Sequence, residues 1–366
     1  MRVILSVDAL TPPLTGIGRY TWELATRIGN VRDIEQLSYH ISGRRVNDPS
    51  ILLMDKPLRK KRVRLPRWAK DWYWRQACRG QVFHAPNYFL PDYIESGVAT
   101  LHDLSVLKYP ETHPLERVRA FERSFRQTLG IATHLITDSE TTRQEVIEYC
   151  GWPAERITAI HLGVSSHFFP IPKEQLTATL KRYSLRSDGY SLCVSTIEPR
   201  KKIDSMLAAY SRLPEDLRAT YPMVLIGGKG WRSENLHKVI DAGQKAGWLR
   251  YLGYVAQCDL PELYAGAHLF IYPSSYEGFG LPIAEAMASG VPTVSSDCSC
   301  LPEVTAGAAK LVNPDNVEEF TATIEDALVN IEWRQQAIAN GLLVAARYNW
   351  DECVKSTVNV YKNLEF

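Results

Sequence analysis

The sequence predicts an α/β protein built from two Rossmann-like domains facing each other across a cleft, each a parallel sheet with helices on both faces. Three observations predict it. Short apolar runs rich in β-branched residues alternate with helix-periodic segments along the chain. The alternation is interrupted by a Pro-rich, weakly patterned stretch, His167–Lys173, and then begins again. At 366 residues the chain is long for one core and comfortable for two domains.

In the first half, strands are expected near Val3–Val7, Leu37–Ile41, Val82–His84, Val98–Leu101, His134–Thr137 and Ile157–Ile160. Helices are expected near Gly18–Gly29, Arg67–Cys78, Leu115–Leu129 and Ser139–Tyr149, the last capped by Asp138 or Ser139. In the second half, strands fall near Ser191–Ile197, Met223–Gly227, Leu249–Leu252, Leu269–Tyr272, Thr293–Ser295 and Ala309–Val312. Helices near Ile203–Arg212, Glu234–Ala246, Leu260–Ala265, Pro282–Ser289 and Val317–Asn330 separate them, and a final helix starts near Trp350. No short-period repeat is visible, which argues against a solenoid.

With 45% hydrophobic and 23% charged residues, a folded core is expected. A net charge of +1 gives no overall bias towards nucleic acid, and no recognition motif for it appears. The opening run MRVILSVDAL is short, is followed by Thr11, Pro12 and Pro13, and lacks a secretion-signal layout, so it is expected to be retained. No stretch approaches the ~18 apolar residues of a membrane span. Seven cysteines without paired CxxC spacing read as free thiols in a reducing cytoplasm; Cys298 and Cys300 are too isolated to imply zinc.

The stretch SYEGFGLPIAEAMASG, residues 275–290, carries the chemistry. The run HLFIYPSS before it reads as a buried strand ending at Pro273, and open α/β sheets bind ligands beyond the C-terminal ends of strands. Pro282 suits the first helical residue, and Gly290 with Pro292 ends the helix. Glu277 then lies in the loop and Glu285 in the first turn. The Gly278-Phe279-Gly280 turn would aim backbone N–H groups at the same space, giving acceptors and donors for one polyhydroxylated ligand. The plainer alternative is a solvated loop acid plus an acid favoured by the helix macrodipole. In STIEPRKK, Arg200 and Lys201 follow a strand and could neutralise a diphosphate, or form a solvated basic turn. No convincing Asp-x-Asp pair follows a strand, so a metal site is not expected.

Gly16-Ile17-Gly18-Arg19 opens a helix after the first strand. It fails as a dinucleotide fingerprint because Thr21 holds the third glycine position, yet its amides could approach a phosphate, or form a tight turn. His102-Asp103 ends a strand on the cleft side. Residues 56–75 hold nine basic residues and one acid, closing on Trp68, Trp72, Tyr73 and Trp74. That composition suits an anionic membrane surface or a polyprenyl-diphosphate acceptor, or a loop leading to an amphipathic helix with inward tryptophans.

EGFGLPIAE resembles the Glu-x7-Glu motif of the retaining glycosyltransferases of family four, which have the GT-B architecture. GIGRY, HD at 102–103, TDSE at 137–140, EPRK at 198–201 and LPEV at 301–304 agree in order, so the resemblance covers nearly the whole chain. It implies that Glu285 accepts hydrogen bonds from the ribose of a nucleotide-sugar donor and that Glu277 meets hydroxyls of the transferred sugar. Gly278, Phe279, Gly280 and Leu281 would hold the sugar or diphosphate, and Lys201 the diphosphate. Many relatives carry a further arginine where this chain has Ser195-Thr196, which leaves open whether Arg200 takes that contact. Gly16 and Gly18 would close on the diphosphate or meet the acceptor, His102 would face the sugar's far hydroxyl, and Asp103 and Arg19 would lie on the acceptor side.

The resemblance further implies an acceptor domain over 1–168, joined by a last helix crossing back over 350–366, and a donor domain over 169–349. The implied enzyme is a metal-independent retaining hexosyltransferase without cofactor. It would carry mannose from GDP-mannose, with GDP-rhamnose and UDP-glucose as next choices, to a glycan or polyprenyl-diphosphate-linked acceptor in O-antigen synthesis. It would work in the cytoplasm, at the inner face of the plasma membrane. Same-face attack is favoured because no carboxylate nucleophile stands out. A nucleotide-sugar 2-epimerase and a non-catalytic nucleotide-sugar binder are the alternatives.

Overall fold

The structure is a computed structural model that describes residues 1–54, 66–228, 230 and 234–364. The basic run expected to meet a membrane falls partly at 56–65, outside the described residues. The chain forms two units, Met1–Gly163 with Trp350–Phe366, and Val164–Asn349.

The first unit is a seven-stranded sheet of order β3-β2-β1-β4-β5-β6-β7. Its strands are β1 Arg2–Ser6, β2 Gln36–Ile41, β3 Arg44–Val46, β4 Val82–Ala85, β5 Gly97–Leu101, β6 Ala132–Thr137 and β7 Ile157–Ala159. All pair in parallel except β3, which returns on β2. Strands covered on both faces must be apolar throughout, and Val3, Ile4 and Leu5 are fully buried. The β2–β3 hairpin was not expected. Ser42 and Gly43 both take positive φ, 46° and 74°, the two-residue turn that matches strand twist, but Arg44-Arg45 disguises the edge strand as a loop.

On one face of this sheet the helices Arg67–Cys78, Leu115–Ile131 and Glu140–Cys150 contribute Trp74, Phe121, Phe125 and Val146 to a common core. Elsewhere the helix Gly16–Arg27 packs against the final helix Trp350–Lys362, and Arg27 Nη1 pairs with Asp351 at 2.6 Å. The final helix belongs to this unit because its apolar side is buried there: Trp350, Cys353, Val354, Val358 and Tyr361. Tyr361 Oη meets His84 Nδ1 at 2.6 Å, His84 Nε2 meets Thr100 Oγ1 at 2.9 Å, and Thr100 meets Tyr20 Oη at 3.0 Å. A Cβ on Gly163 would lie 2.3 Å from the Trp350 nitrogen, so glycine permits that closure.

The second unit is a six-stranded parallel sheet of order β10-β9-β8-β11-β12-β13. Its strands are β8 Ser191–Val194, β9 Met223–Ile226, β10 Leu249–Gly253, β11 Leu269–Tyr272, β12 Thr293–Ser296 and β13 Lys310–Val312. The chain winds outward from β8 to β10, then crosses back to place β11 on the other flank of β8. Strand order therefore reverses between β8 and β11, the topological position beyond whose strand ends open α/β sheets bind ligands.

Among the described residues five helices escaped the sequence reading: the short Ser105–Lys108 and Leu301–Thr305, and Lys173–Arg182, Glu215–Thr220 and Ile331–Ala345. Of the last three, the first begins directly after Pro172, inside what reads as a proline-rich connection. The third leaves Ile331 and Leu343 exposed, which blurs its apolar stripe. The unit boundary falls after Gly163 rather than 168. Val164 N donates to Tyr348 O at 3.0 Å and Phe168 stacks edge-on to Tyr264, which ties 164–168 to the second unit.

Burial pushes the His84 pKa down to about 3, with His102 adding repulsion. The folded state keeps His84 neutral while the unfolded chain binds a proton below pH ~6.5. Its contribution to stability is therefore present above pH ~6.5 and lost as pH falls towards 3. Tyr361→Phe, which strands His84 Nδ1, should lower the stability of the first unit by ~1–3 kcal/mol at pH 7 in urea denaturation.

Candidate active site

Two loops emerge at the strand reversal of the second unit. After β8 the chain makes a 3-10 turn over Pro199–Lys201, ended by Lys202 in the left-handed region. After β11 it runs through Pro273 to Glu277. Ser275 joins them, since both its backbone N and its Oγ donate to the Arg200 carbonyl at 2.9 Å.

Glu277 sits where the loops meet. Its Oε1 accepts from Tyr272 Oη at 2.8 Å and from Lys201 Nζ, and its Oε2 lies 3.6 Å from Arg200 Nη1. Arg200 Nη1 also donates to the Tyr276 carbonyl, and Nη2 to Glu198 Oε1 at 2.9 Å. The acid's main chain is fixed too: Ser299 Oγ donates to the Glu277 carbonyl at 2.6 Å and accepts from its N–H at 3.2 Å. Burial alone would raise the Glu277 pKa, but the Lys201 ammonium and the Arg200 guanidinium outweigh it and hold it at about 2. The carboxylate stays ionised at any physiological pH, so it accepts hydrogen bonds and donates none.

Gly280 has φ of 89°, and a Cβ there would lie 2.7 Å from Leu301 Cδ2, so the turn requires glycine. Phe279 is buried edge-on against Tyr348, with ring centroids 5.1 Å apart; Gly278 is buried and Leu281 half-buried. The helix runs Leu281–Ala288, one residue earlier than Pro282, which puts Glu285 in its second turn rather than its first. Glu277 and Glu285 are 8% and 7% exposed. Neither is a solvated surface charge.

The first unit holds the other expected residues. His102, directly after β5, is buried; its Nδ1 meets Asp138 Oδ2 at 2.7 Å and its Nε2 meets the Pro86 carbonyl at 2.8 Å. A carbonyl only accepts, so Nε2 carries a proton. Burial opposes the charged ring, yet Asp138 and the Pro86 carbonyl raise the His102 pKa. Asp138 thus pairs with His102, and Ser139 caps the following helix by accepting from Thr142 N at 3.1 Å. Asp103 Oδ1 accepts from Ser105 N at 2.9 Å and Ser105 Oγ at 2.7 Å. Gly16 begins the helix and is exposed, with Arg19 half-buried in the first turn. Gly18 is buried, and a Cβ would lie 3.0 Å from Leu14 Cδ2 and 3.1 Å from the Ala9 carbonyl, so it serves close packing.

The second unit therefore brings Lys201, Arg200 and the buried Glu277 into one charge cluster, with Glu285 on the adjoining helix. Tyr272, Glu198 and Ser299 were missed by sequence reasoning. Tyr272 looks like an ordinary strand aromatic, and Glu198, although part of EPRK, gives no sign that its partner is two residues on. Among the described residues, no group of three or more His, Cys, Asp or Glu side chains could hold a metal ion.

Residues 182–343 match the family described as glycosyl transferases group 1, and residues 15–168 match glycosyltransferase family 4. The chain is 38% identical to O-antigen chain mannosyltransferase B of Escherichia coli over the whole of both chains. It is 27% identical to O-antigen chain mannosyltransferase RfbU of Salmonella typhimurium, covering 69% of this chain and 65% of that one. Among solved structures, WaaG, a glycosyltransferase involved in lipopolysaccharide biosynthesis, superposes over 100% of both chains with TM-score 0.72 at 14% identity. Anabaena HepE in complex with UDP-glucose gives TM-score 0.72 at 16% identity, over 98% of this chain and 99% of that one.

Glu277→Gln removes a charge that two partly buried cations share. The Glu277 contribution to stability is fully present above the unfolded value near 4.5 and is lost as pH falls through 2. The substitution should destabilise the second unit by ~3 kcal/mol at pH 7, with the deficit shrinking towards pH 3, in urea denaturation across that range.

Proposed function

The chain belongs to the family-four, group-1 glycosyltransferases of GT-B fold, and on that premise we propose that it moves mannose from GDP-mannose, with retention, to a glycan or polyprenyl-diphosphate-linked acceptor of a bacterial O-antigen. The observation that carries this reading is the Lys201–Glu277–Tyr272 contact, with Glu277 and Tyr272 buried, at the strand reversal of the second unit. An ionised carboxylate fixed by two cations is an acceptor for sugar hydroxyls, and Lys201 beside it is a cation for the diphosphate.

In the proposed reaction the anomeric carbon loses its bond to the diphosphate oxygen, and the acceptor oxygen bonds to that carbon from the same face. The acceptor's proton passes to the departing diphosphate oxygen. Lys201 offsets the charge that develops there, so the electrostatics need no resident metal or cofactor. Glu277, whose charge is already neutralised by Lys201 and Arg200, is a poor nucleophile, which favours this route over a covalent intermediate. Glu285 takes the ribose hydroxyls, and Gly278, Phe279, Gly280 and Leu281 take the sugar and diphosphate through their backbone. Arg200 is bound by Glu198 and the Tyr276 carbonyl, so we assign it to orienting Glu277 rather than to a phosphate.

In this reading His102 donates from Nε2 to a hydroxyl of the transferred sugar by exchanging the Pro86 carbonyl, Gly16 and Gly18 close on the diphosphate or meet the acceptor, and Arg19 and Asp103 serve the acceptor. Mannose is supported by the two relatives named as mannosyltransferases. All seven cysteines are free, which fits the reducing cytoplasm, and a lipid-linked acceptor would bring the chain to the inner face of the membrane.

Titration calorimetry with GDP, UDP and TDP should show GDP binding most tightly; a preference for UDP would overturn GDP-mannose and leave the fold untouched. Lys201→Ala should lower kcat ~10²–10³-fold with GDP-mannose, measured as released GDP. An intact protein that binds donor but releases no nucleotide with any acceptor would be a binder rather than an enzyme.

A further inference from the structure

The helix Arg67–Cys78 packs on the first unit through Trp74, which is 1% exposed and whose Nε1 donates to the Gly43 carbonyl at 3.1 Å. The two other tryptophans of that helix do the opposite. Trp68 is 75% exposed and Trp72 62%, and Tyr73 beside them is 45% exposed. At 100° per residue, positions 68, 72, 75 and 76 share one outward side, so the Trp pair stands with Arg75 and Gln76, both exposed. Single exposed apolar residues are ordinary. Two neighbouring indoles on one helix side are a patch.

The helix Leu115–Ile131 lies on the same side of the sheet, because its Phe121 and Phe125 join the core cluster that holds Trp74. Its exposed side carries Arg117, Arg119, Arg123 and Arg126 against Glu116 and Glu122, with Leu115 63% exposed at its start. The chain has a net charge of only +1, so this cationic excess is local.

We propose that this face of the first unit, Trp68, Trp72 and Tyr73 flanked by Arg75 and by Arg119, Arg123 and Arg126 of the second helix, docks on an anionic bilayer surface. The inference deepens the reading of a lipid-linked acceptor and draws its purpose from it. Indole and phenol rings collect at the level of lipid headgroups, and basic side chains beside them are drawn to anionic headgroups. An uncharged glycan would engage the rings but leave the arginines without a role. A second copy of the chain would set arginine against arginine. No helix among the described residues is long and apolar enough to cross a membrane, so the contact is peripheral. The docked chain would hold its acceptor domain at the depth where a lipid-borne diphosphate lies.

Vesicle cosedimentation tests the proposal, with the full chain, phosphatidylcholine alone or with about 30% phosphatidylglycerol, and low or high salt. The native chain should sediment with anionic vesicles at low salt and stay in solution with neutral ones. W68S/W72S should weaken partitioning at least about tenfold, and R119E/R123E should weaken it and flatten its salt dependence. The idea is overturned if the native chain ignores anionic vesicles, or if W68S/W72S partitions as the native chain does. A dimer in light scattering, or retention on immobilised polysaccharide, that W68S/W72S abolishes without any vesicle binding would also overturn it, giving the face to a second copy or to glycan. Calorimetry with GDP on the same samples keeps the two readings apart. Native chain that binds vesicles but no nucleotide would sink the donor assignment and leave the docking surface standing.

Discussion

The burial of one carboxylate between two cations organises the second unit. Glu277 can be taken out of water only because Lys201, Arg200 and the Tyr272 hydroxyl meet its oxygens, and the two cations come from the loop after β8 while Glu277 lies in the loop after β11. Each loop is therefore held by the other's charge. Glu198 adds a second carboxylate on Arg200, so the cluster holds two anions and two cations and is balanced within itself.

The strand order explains why these loops meet. In a parallel sheet that winds outward in one direction and then the other, the two strands at the reversal are neighbours, so the loops at their C-terminal ends leave the sheet side by side. In the second unit those strands are β8 and β11, and their loops carry EPRK and EGFG. In the first unit the reversal lies between β1 and β4, whose following segments carry Gly16 and Pro86. The Pro86 carbonyl there fixes the His102 ring that Asp138 holds from the other side. Both units place polar chemistry on the same topological feature.

The first unit also shows how a polar chain is made safe inside a core. Tyr20, Thr100, His84 and Tyr361 are buried, and each hydrogen-bonds its neighbour, so the final helix is tied to the central strands by more than apolar contact. That helix is far away in sequence, and the pairing of Tyr361 with His84 spans 277 positions.

Local pattern determined the elements. Alternating apolar runs and helix periodicity gave every strand but β3, and the Gly-Phe-Gly turn between two glutamates marked the loop that carries the charge cluster. These are legible because periodicity and turn chemistry are properties of neighbours in the chain. Tertiary structure decided the partners: that Tyr272 and Lys201 share one oxygen of Glu277, that Arg200 is occupied by Glu198, and that Asp138 serves His102 while Ser139 caps the helix. It also decided which way the helix Arg67–Cys78 faces, turning Trp74 in and Trp68 and Trp72 out. Such outcomes depend on which side chains the sheet order brings within about 3 Å of one another, and strand order is fixed by contacts between residues tens to hundreds of positions apart.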